Sequence, residues 1–105
     1  MKSVDYKSVI KWLEGKELPI TIPTLGRKSV TRVTLVDKKI HVIGSKGGEW
    51  TWEQDRWKAV CKYIDTLPVA ERERVKNYGD ILPHQFAPSV AAICRAYCEE
   101  HKFER

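Results

Sequence analysis

Apolar and polar residues alternate on both sides of Asp37 and Lys38, and this alternation restricts the fold more than any other feature of the chain. A two-residue turn here places Leu35 opposite Ile40 in an antiparallel pair, and a turn moved to Lys38-Lys39 keeps the same two faces. Because Asp-Lys lacks the glycine that such turns favour, a slightly longer loop or a bulge is also compatible. The sequence therefore predicts a β-hairpin with two different faces. The apolar face consists of Val33, Leu35, Ile40 and Val42, and the polar face of Arg32, Thr34, Lys39 and His41.

Positive charge is concentrated in the same segment. The 105 residues include 19 Lys and Arg and 14 Asp and Glu, which gives a formal net charge of +5. Residues 27–46 contain the single acid Asp37, and the basic and acidic residues outside this stretch cancel, so the stretch carries the whole excess. An alternating ribbon displays such charges to solvent. The basic residues concerned are Arg27, Lys28, Arg32, Lys38, Lys39 and Lys46.

Length and composition indicate one folded domain over residues 1–105. Hydrophobic residues make up 42% and charged residues 31%, which is typical of a folded protein and too apolar for a disordered one. No apolar run approaches the roughly 20 residues that a membrane span needs, and the N-terminus lacks the pattern of an export signal. We therefore expect a cytoplasmic protein with no membrane partner, and its three cysteines to be reduced thiols rather than a disulfide.

The N-terminal part of the chain predicts a helix followed by an edge strand. Apolar residues recur with helical spacing, Ser3 is available as N-cap, and Gly15 is placed to end the helix in a left-handed conformation. Residues 20–22 alternate like a strand, but Pro19 and Pro23 remove backbone donors and confine it to the edge of a sheet. The helical repeat consists of Tyr6, Val9, Ile10 and Leu13.

The C-terminal half predicts three helices. Thr51 and Gln54 have the spacing of a capping box and open a helix that extends to about residue 65. A further helix is expected over residues 68–78, with proline in its first turn and glycine after its end, and the last over residues 88–101. The order predicts an α+β fold: an N-terminal helix, a small antiparallel sheet made of the hairpin and the proline-flanked edge strand, and then three helices packed on one sheet face.

The leading functional interpretation is a small basic protein that binds the phosphate backbone of a nucleic acid. Several cations that approach the backbone together release condensed counterions, and a twisted two-stranded ribbon can enter a groove. These residues favour neither DNA nor RNA, and they do not indicate whether a particular base sequence is preferred. The candidate nucleic-acid-binding residues are Arg27, Lys28, Arg32, Lys38, Lys39, His41 and Lys46.

The basic residues also fit a purely structural role, and the last two helices raise a second mode of nucleic-acid binding. Lysines on an edge strand and a turn also prevent sheets from aggregating, which would give the same pattern without any ligand. The last two helices resemble a helix-turn-helix only in order, because residues 87–92 offer no Arg, Lys, Asn or Gln to contact a base edge. Base-specific recognition through the last helix is therefore disfavoured.

A protein-interaction module or homo-oligomer is the alternative function. Trp50, Trp52 and Trp57 cannot share one helical face, so at least one of them is expected near the surface where strand passes into helix. An exposed tryptophan beside an unpaired strand edge would anchor a partner through apolar contact and strand addition. Trp50 and Trp52 are the candidate partner-binding residues.

Metal binding and catalysis have weaker signatures. Cys94, Cys98 and His101 share a helical face and Cys61 could complete a set of four ligands, but the same positions continue an apolar stripe, so we predict buried cysteines and no metal or cofactor. His41 and His84 are the candidate acid and base of a small metal-independent ribonuclease. No catalytic motif accompanies them, and the protein is not expected to be an enzyme.

Overall fold

The computed structural model describes residues 1–82 and 85–102 and shows a mixed α+β fold. Helix α1 (Tyr6–Glu14) precedes strands β1 (Ile20–Pro23), β2 (Val30–Val36), β3 (Lys39–Ile43) and β4 (Glu49–Trp52), which are followed by helices α2 (Gln54–Thr66) and α3 (Ala87–His101). The predicted α+β class is confirmed. None of the helices in the described ranges is long and apolar enough to cross a membrane.

The central hairpin of β2 and β3 is confirmed, with its turn at Asp37 and Lys38. Leu35 pairs with Ile40, so the register is the first of the two that the alternation allowed. Asp37 and Lys38 have φ angles of 51° and 63°. Positive φ at both central residues is the geometry that matches the twist of a two-residue hairpin, so no extra loop residue or bulge is needed.

The sheet is antiparallel in the order β1-β2-β3-β4, which contains one strand more than the sequence predicted. β1 lies at one edge, as its flanking prolines indicated. β4 forms the other edge, and its pairing with β3 places Trp50 opposite Val42 and Trp52 opposite Ile40. No sequence pattern predicts β4, because its first residues follow three glycines and Thr51, near its end, has the spacing of a helix cap.

Three predicted helix boundaries are wrong in detail. Asp5, not Ser3, caps α1, and its carboxylate accepts from the Ser8 backbone N–H at 3.1 Å. Gly15 follows α1 with a φ of −86°, so the helix ends without a left-handed residue. Thr51 belongs to β4, so the predicted capping box does not form. Glu53 is the N-cap of α2, and its side chain makes no capping hydrogen bond.

The helix expected over residues 68–78 is replaced by two 3₁₀ turns, Val69–Glu71 and Val75–Tyr78. Side chains donate hydrogen bonds to backbone carbonyl oxygens that would accept from backbone N–H groups in a continuous α-helix. Asn77 donates its amide to Glu71 O at 2.8 Å, and the Tyr78 hydroxyl donates to Arg72 O. Such local bonds compete with the helical ladder, which accounts for the difference from the predicted helix.

Trp52 connects the sheet to all three helices. It is fully buried, and its carbonyl accepts from the hydroxyl of Tyr6 in α1. Its ring meets that of Trp57 in α2 edge-on, with 6.3 Å between the ring centroids. Its indole N–H donates to Ser89 Oγ in α3 at 3.1 Å. The core therefore forms between the helices and the face of the sheet on which Trp52 lies.

Replacement of Trp52 by phenylalanine is expected to lower the free energy of unfolding by about 1–3 kcal/mol, because the core loses both volume and the bond to Ser89. Trp50→Phe in the same strand is the matched control. The indole nitrogen of Trp50 is enclosed and has no hydrogen-bond partner among the described residues, so its removal forfeits no bond. Urea denaturation of both variants measures the difference, and equal losses would contradict the connecting role of Trp52.

Replacement of Asp5 by alanine is expected to cost about 0.5–2 kcal/mol of stability, and Asp5→Asn much less, since the amide oxygen still accepts. Hydrogen bonding from Ser8 holds the pKa of Asp5 below its ordinary value of 3.8. A lowered pKa stabilises the fold above the unfolded value, and this contribution disappears as pH falls through the folded value. Denaturation at several pH values should therefore show the alanine penalty shrinking below pH 3.8.

Candidate functional site

The polar face of the hairpin lies on the side of the sheet away from the core, as the alternation predicted. Thr34 pairs with His41 and Arg32 with Ile43 across β2 and β3. The same face continues onto Thr51 of β4, which pairs with His41. We call this the outer face; it carries Thr21, Arg32, Thr34, Lys39, His41, Ile43, Glu49 and Thr51.

Carboxylates from β4 and the start of α2 neutralise part of the outer face. Lys39 Nζ lies 2.7 Å from Glu53 Oε1, and this hydrogen bond raises the pKa of Lys39. His41 Nε2 lies 2.8 Å from Glu49 Oε1, while its other ring nitrogen lies 2.7 Å from the Thr51 hydroxyl. The Lys39 ammonium is therefore neutralised by a carboxylate from beyond the charged segment, and the His41 ring is held by two polar neighbours from β4.

Arg27 does not join the outer face. It lies between β1 and β2, and its Nη2 is 3.3 Å from Glu99 Oε1 of α3, which belongs to the helical layer. The predicted basic residues are thus divided between two sides of the molecule. Proximity in sequence to the other basic residues therefore does not bring Arg27 onto their side of the molecule.

Four of the predicted cations are exposed and make no ion pair with any residue in the ranges that the structure describes. Lys38 lies in the hairpin turn. The other three lie toward the opposite end of the sheet, where β2 begins and β3 ends. We call these three the turn-end cations: Lys28, Arg32 and Lys46.

A cavity of about 430 Å³ opens at the same end of the sheet, between the two turns and the first residues of α3. Its apolar wall includes Leu25, Phe86 and Ala92. Polar side chains from both turns and from α3 surround this wall, and Lys46 is the only charged residue among the described lining. The cavity therefore combines an apolar surface with a cation at its edge. The polar lining side chains are Thr24, Thr31, Ser45, Gln85 and Ser89.

The glycine-rich turn between β3 and β4 forms one wall of the cavity. Gly44 N–H donates to Gly48 O at 2.7 Å, which closes the turn, and Gly47 has a φ of 90° that favours glycine. A Cβ on Gly48 would lie 3.3 Å from Phe86 Cζ, so the missing side chain lets this turn approach the Cζ end of the Phe86 ring closely. Phe86 in turn stacks on Trp50, with 6.0 Å between centroids and 16° between planes.

Arg95 holds the opposite wall, a role that no pattern in the sequence indicates. Its side chain is buried and donates to the backbone oxygens of Pro23, Thr24 and Leu25 at 3.2, 2.8 and 3.3 Å. Glu73 Oε1 lies 3.4 Å away and supplies the opposite charge. The planar guanidinium reaches three successive carbonyls, which fixes the start of the turn that lines the cavity.

Replacement of Arg95 by methionine is expected to lower the free energy of unfolding by about 1–3 kcal/mol, because methionine fills similar space but leaves the three carbonyls without their donor. Arg32→Met on the exposed outer face is the control and is expected to change stability by less than about 0.5 kcal/mol. Chemical denaturation of both proteins tests the difference. A similar small effect in both would show that Arg95 is not needed to hold the turn.

The candidate partner-binding tryptophans are not exposed anchors. Trp52 is fully buried, which corrects its assignment to a binding surface, and Trp50 is half-buried against Phe86. Strand β4 is nevertheless an edge strand. Addition of a partner's strand at β4 therefore stays a prediction, but Trp52 would not contact that partner. His84, the second candidate catalytic residue, lies outside the described residues.

The three cysteines are free thiols, with Cys94 buried and the other two half-buried. The hydrogen bond with Cys61 and burial together raise the pKa of the Cys94 thiol well above its ordinary value. Cys98 Sγ lies 3.6 Å from Lys2 O. Within residues 1–82 and 85–102, no group of three His, Cys, Asp or Glu side chains is arranged to hold a metal ion.

No family model matches the chain, and no curated protein or solved structure matches it. Its chemistry has to be inferred from its own residues. The turn end of the sheet is the most distinctive region, because the turn-end cations and the cavity lie there together.

Proposed function

We propose that this protein binds a nucleic acid through its phosphate backbone and that the turn-end cations make the main contacts. The observation that carries this proposal is that Lys28, Arg32 and Lys46 are exposed at one end of the sheet and make no ion pair within the described part of the chain. A cation without a carboxylate partner gains the full benefit of counterion release when it meets a phosphate.

The other predicted cations contribute less to this proposal. Lys39 and Arg27 would have to exchange their bonds to Glu53 and Glu99 for bonds to phosphate, which offsets much of the gain. Lys38 lies at the far end of the hairpin, next to Asp37. The proposed contact surface is therefore smaller than the whole hairpin and is displaced toward the turns.

The segment before α3 and the start of that helix favour phosphate contact over base-specific recognition through α3. A helix-turn-helix needs two successive helices, whereas two 3₁₀ turns precede α3. Phe86 at the N-cap of α3 lines the cavity together with Ser89 and Ala92 of the first turns, and Phe86 and Ala92 also belong to the core. With three phosphate contacts, the slope of log K against log salt should be about −2 to −3.

The test compares two triple variants with equal change in net charge. Lys28→Gln/Arg32→Gln/Lys46→Gln removes the turn-end cations, and Arg56→Gln/Lys58→Gln/Lys62→Gln removes three exposed cations of α2. Fluorescence anisotropy with a labelled mixed-sequence oligonucleotide, as single strand and as duplex, measures affinity across a salt series. Circular dichroism establishes that both variants are folded.

The turn-end variant is expected to bind at least about tenfold more weakly at low salt, with a salt slope closer to zero by about 2, because three phosphate contacts are lost. The α2 variant is expected to bind within about twofold of the unmodified protein, since its charges lie on another element. Equal weakening in the two variants would refute the turn-end site. Failure of the unmodified protein to bind any oligonucleotide at low salt would refute the function itself.

A further inference from the structure

We propose that the cavity at the turn end binds one nucleotide, with its base against the apolar wall and its phosphate beside Lys46. The nucleotide is supplied either free or as an unpaired residue of a single strand. This inference rests on the proposed nucleic-acid function and adds to it the form of nucleic acid that is bound.

The size and wall of the cavity suit a base. Its volume of about 430 Å³ lies within the range of small-molecule sites in proteins. Leu25 and Ala92 give apolar contact, and Phe86, which is 8% exposed, adds the part of its ring that its stack on Trp50 leaves open to the cavity. A flat heteroaromatic ring covers such a wall with little loss of conformational entropy, because the wall is already ordered by the core.

The polar groups around the apolar wall can form hydrogen bonds with the edge of the bound base. The hydroxyl of Ser45 and the amide of Gln85 are exposed at the opening and include both donors and acceptors. Thr31 lines the cavity from the inner face of β2 and is only 8% exposed. A base edge carries donors and acceptors side by side and can pair with these groups, which a purely aliphatic ligand cannot do.

The charges around the opening favour a ligand that bears a phosphate. Lys46 lines the cavity, and no acidic side chain does so among the described lining residues. Glu49, the first residue of β4, is engaged by His41 on the outer face. Lys28 lies in the turn whose residues Thr24 and Leu25 line the cavity, and Arg32 lies at the same end on the outer face of β2. A strand that leaves the cavity past Lys28 and around this end of the sheet would therefore meet further cations.

A base in a duplex is paired and stacked, so it cannot enter the cavity without disrupting the helix. Single-stranded nucleic acid presents unpaired bases that stack on protein side chains. The inference therefore predicts preference for single strands over duplexes, which backbone contact alone does not require. It also predicts that a mononucleotide binds at the same residues, more weakly than a strand.

The cavity is tested by Gly48→Leu, which places a side chain against Phe86, with Gly26→Leu as the matched control. A Cβ on Gly26 would meet only Val75 Cγ2 at 3.9 Å, and Gly26 does not line the cavity. Anisotropy with a labelled 12-residue RNA strand and its duplex measures the preference. Titrations with AMP and with adenosine, monitored by the NMR shifts of backbone amides, measure the binding of a single nucleotide and of a nucleoside without phosphate.

The unmodified protein and Gly26→Leu are expected to bind the strand at least about tenfold more tightly than the duplex, because only unpaired bases enter. Gly48→Leu should lose that preference while retaining the duplex affinity and its salt slope. AMP should shift the amides of residues 44–48 and 85–92 more strongly than adenosine, and Lys46→Gln should remove the difference. If Gly48→Leu fails to fold, Ser45→Tyr blocks the same opening from an exposed position.

The outcomes separate this inference from the proposed function. Equal binding of strand and duplex, with no AMP shifts around the cavity, would overturn the nucleotide site and leave phosphate binding intact. AMP shifts at the cavity without any binding of oligonucleotides would identify a free nucleotide as the ligand and overturn the nucleic-acid function. Absence of both would overturn the two proposals together.

Discussion

The packing of Trp52 is the interaction on which the rest of the structure depends. One residue of an edge strand accepts from Tyr6 in α1, meets Trp57 of α2 edge-on and donates to Ser89 in α3. Tyr6 also accepts from the Ile40 backbone N–H at 3.1 Å, so its hydroxyl joins β3 and β4 where these strands pair at Ile40 and Trp52. Burial of large aromatic side chains at this junction supplies much of the apolar contact available to a chain of this size.

The position of the candidate site follows from this packing. The bond from Trp52 fixes Ser89 and with it the start of α3, while Arg95, less than two turns further along the helix, holds the carbonyls of residues 23–25. The helix start and the two turns are thereby kept apart at one end of the sheet, and the space between them is the cavity. Neither contact uses a turn-end cation, so these side chains stay exposed to solvent.

Much of the fold was predictable where the information is local. The period-two alternation around Asp37 gave the hairpin and its faces, and the helical repeat gave α1 and α3. The helix expected at residues 68–78 was wrong because bonds from Asn77 and Tyr78 side chains take its carbonyls. The candidate site was only partly predictable: the cations were visible, but the carboxylates that pair with Lys39 and Arg27 lie just before α2 and on α3.

The sequence by itself determined which residues alternate, which repeat with helical spacing and where the net charge resides, because these properties depend on neighbours within a few positions. Only the tertiary structure decided that Glu53 and Glu99 neutralise Lys39 and Arg27, that Arg95 is buried against three carbonyls, and that two turns enclose a cavity with α3. These contacts join residues far apart in the chain. Their geometry depends on how the helices pack on the sheet, which no local pattern encodes.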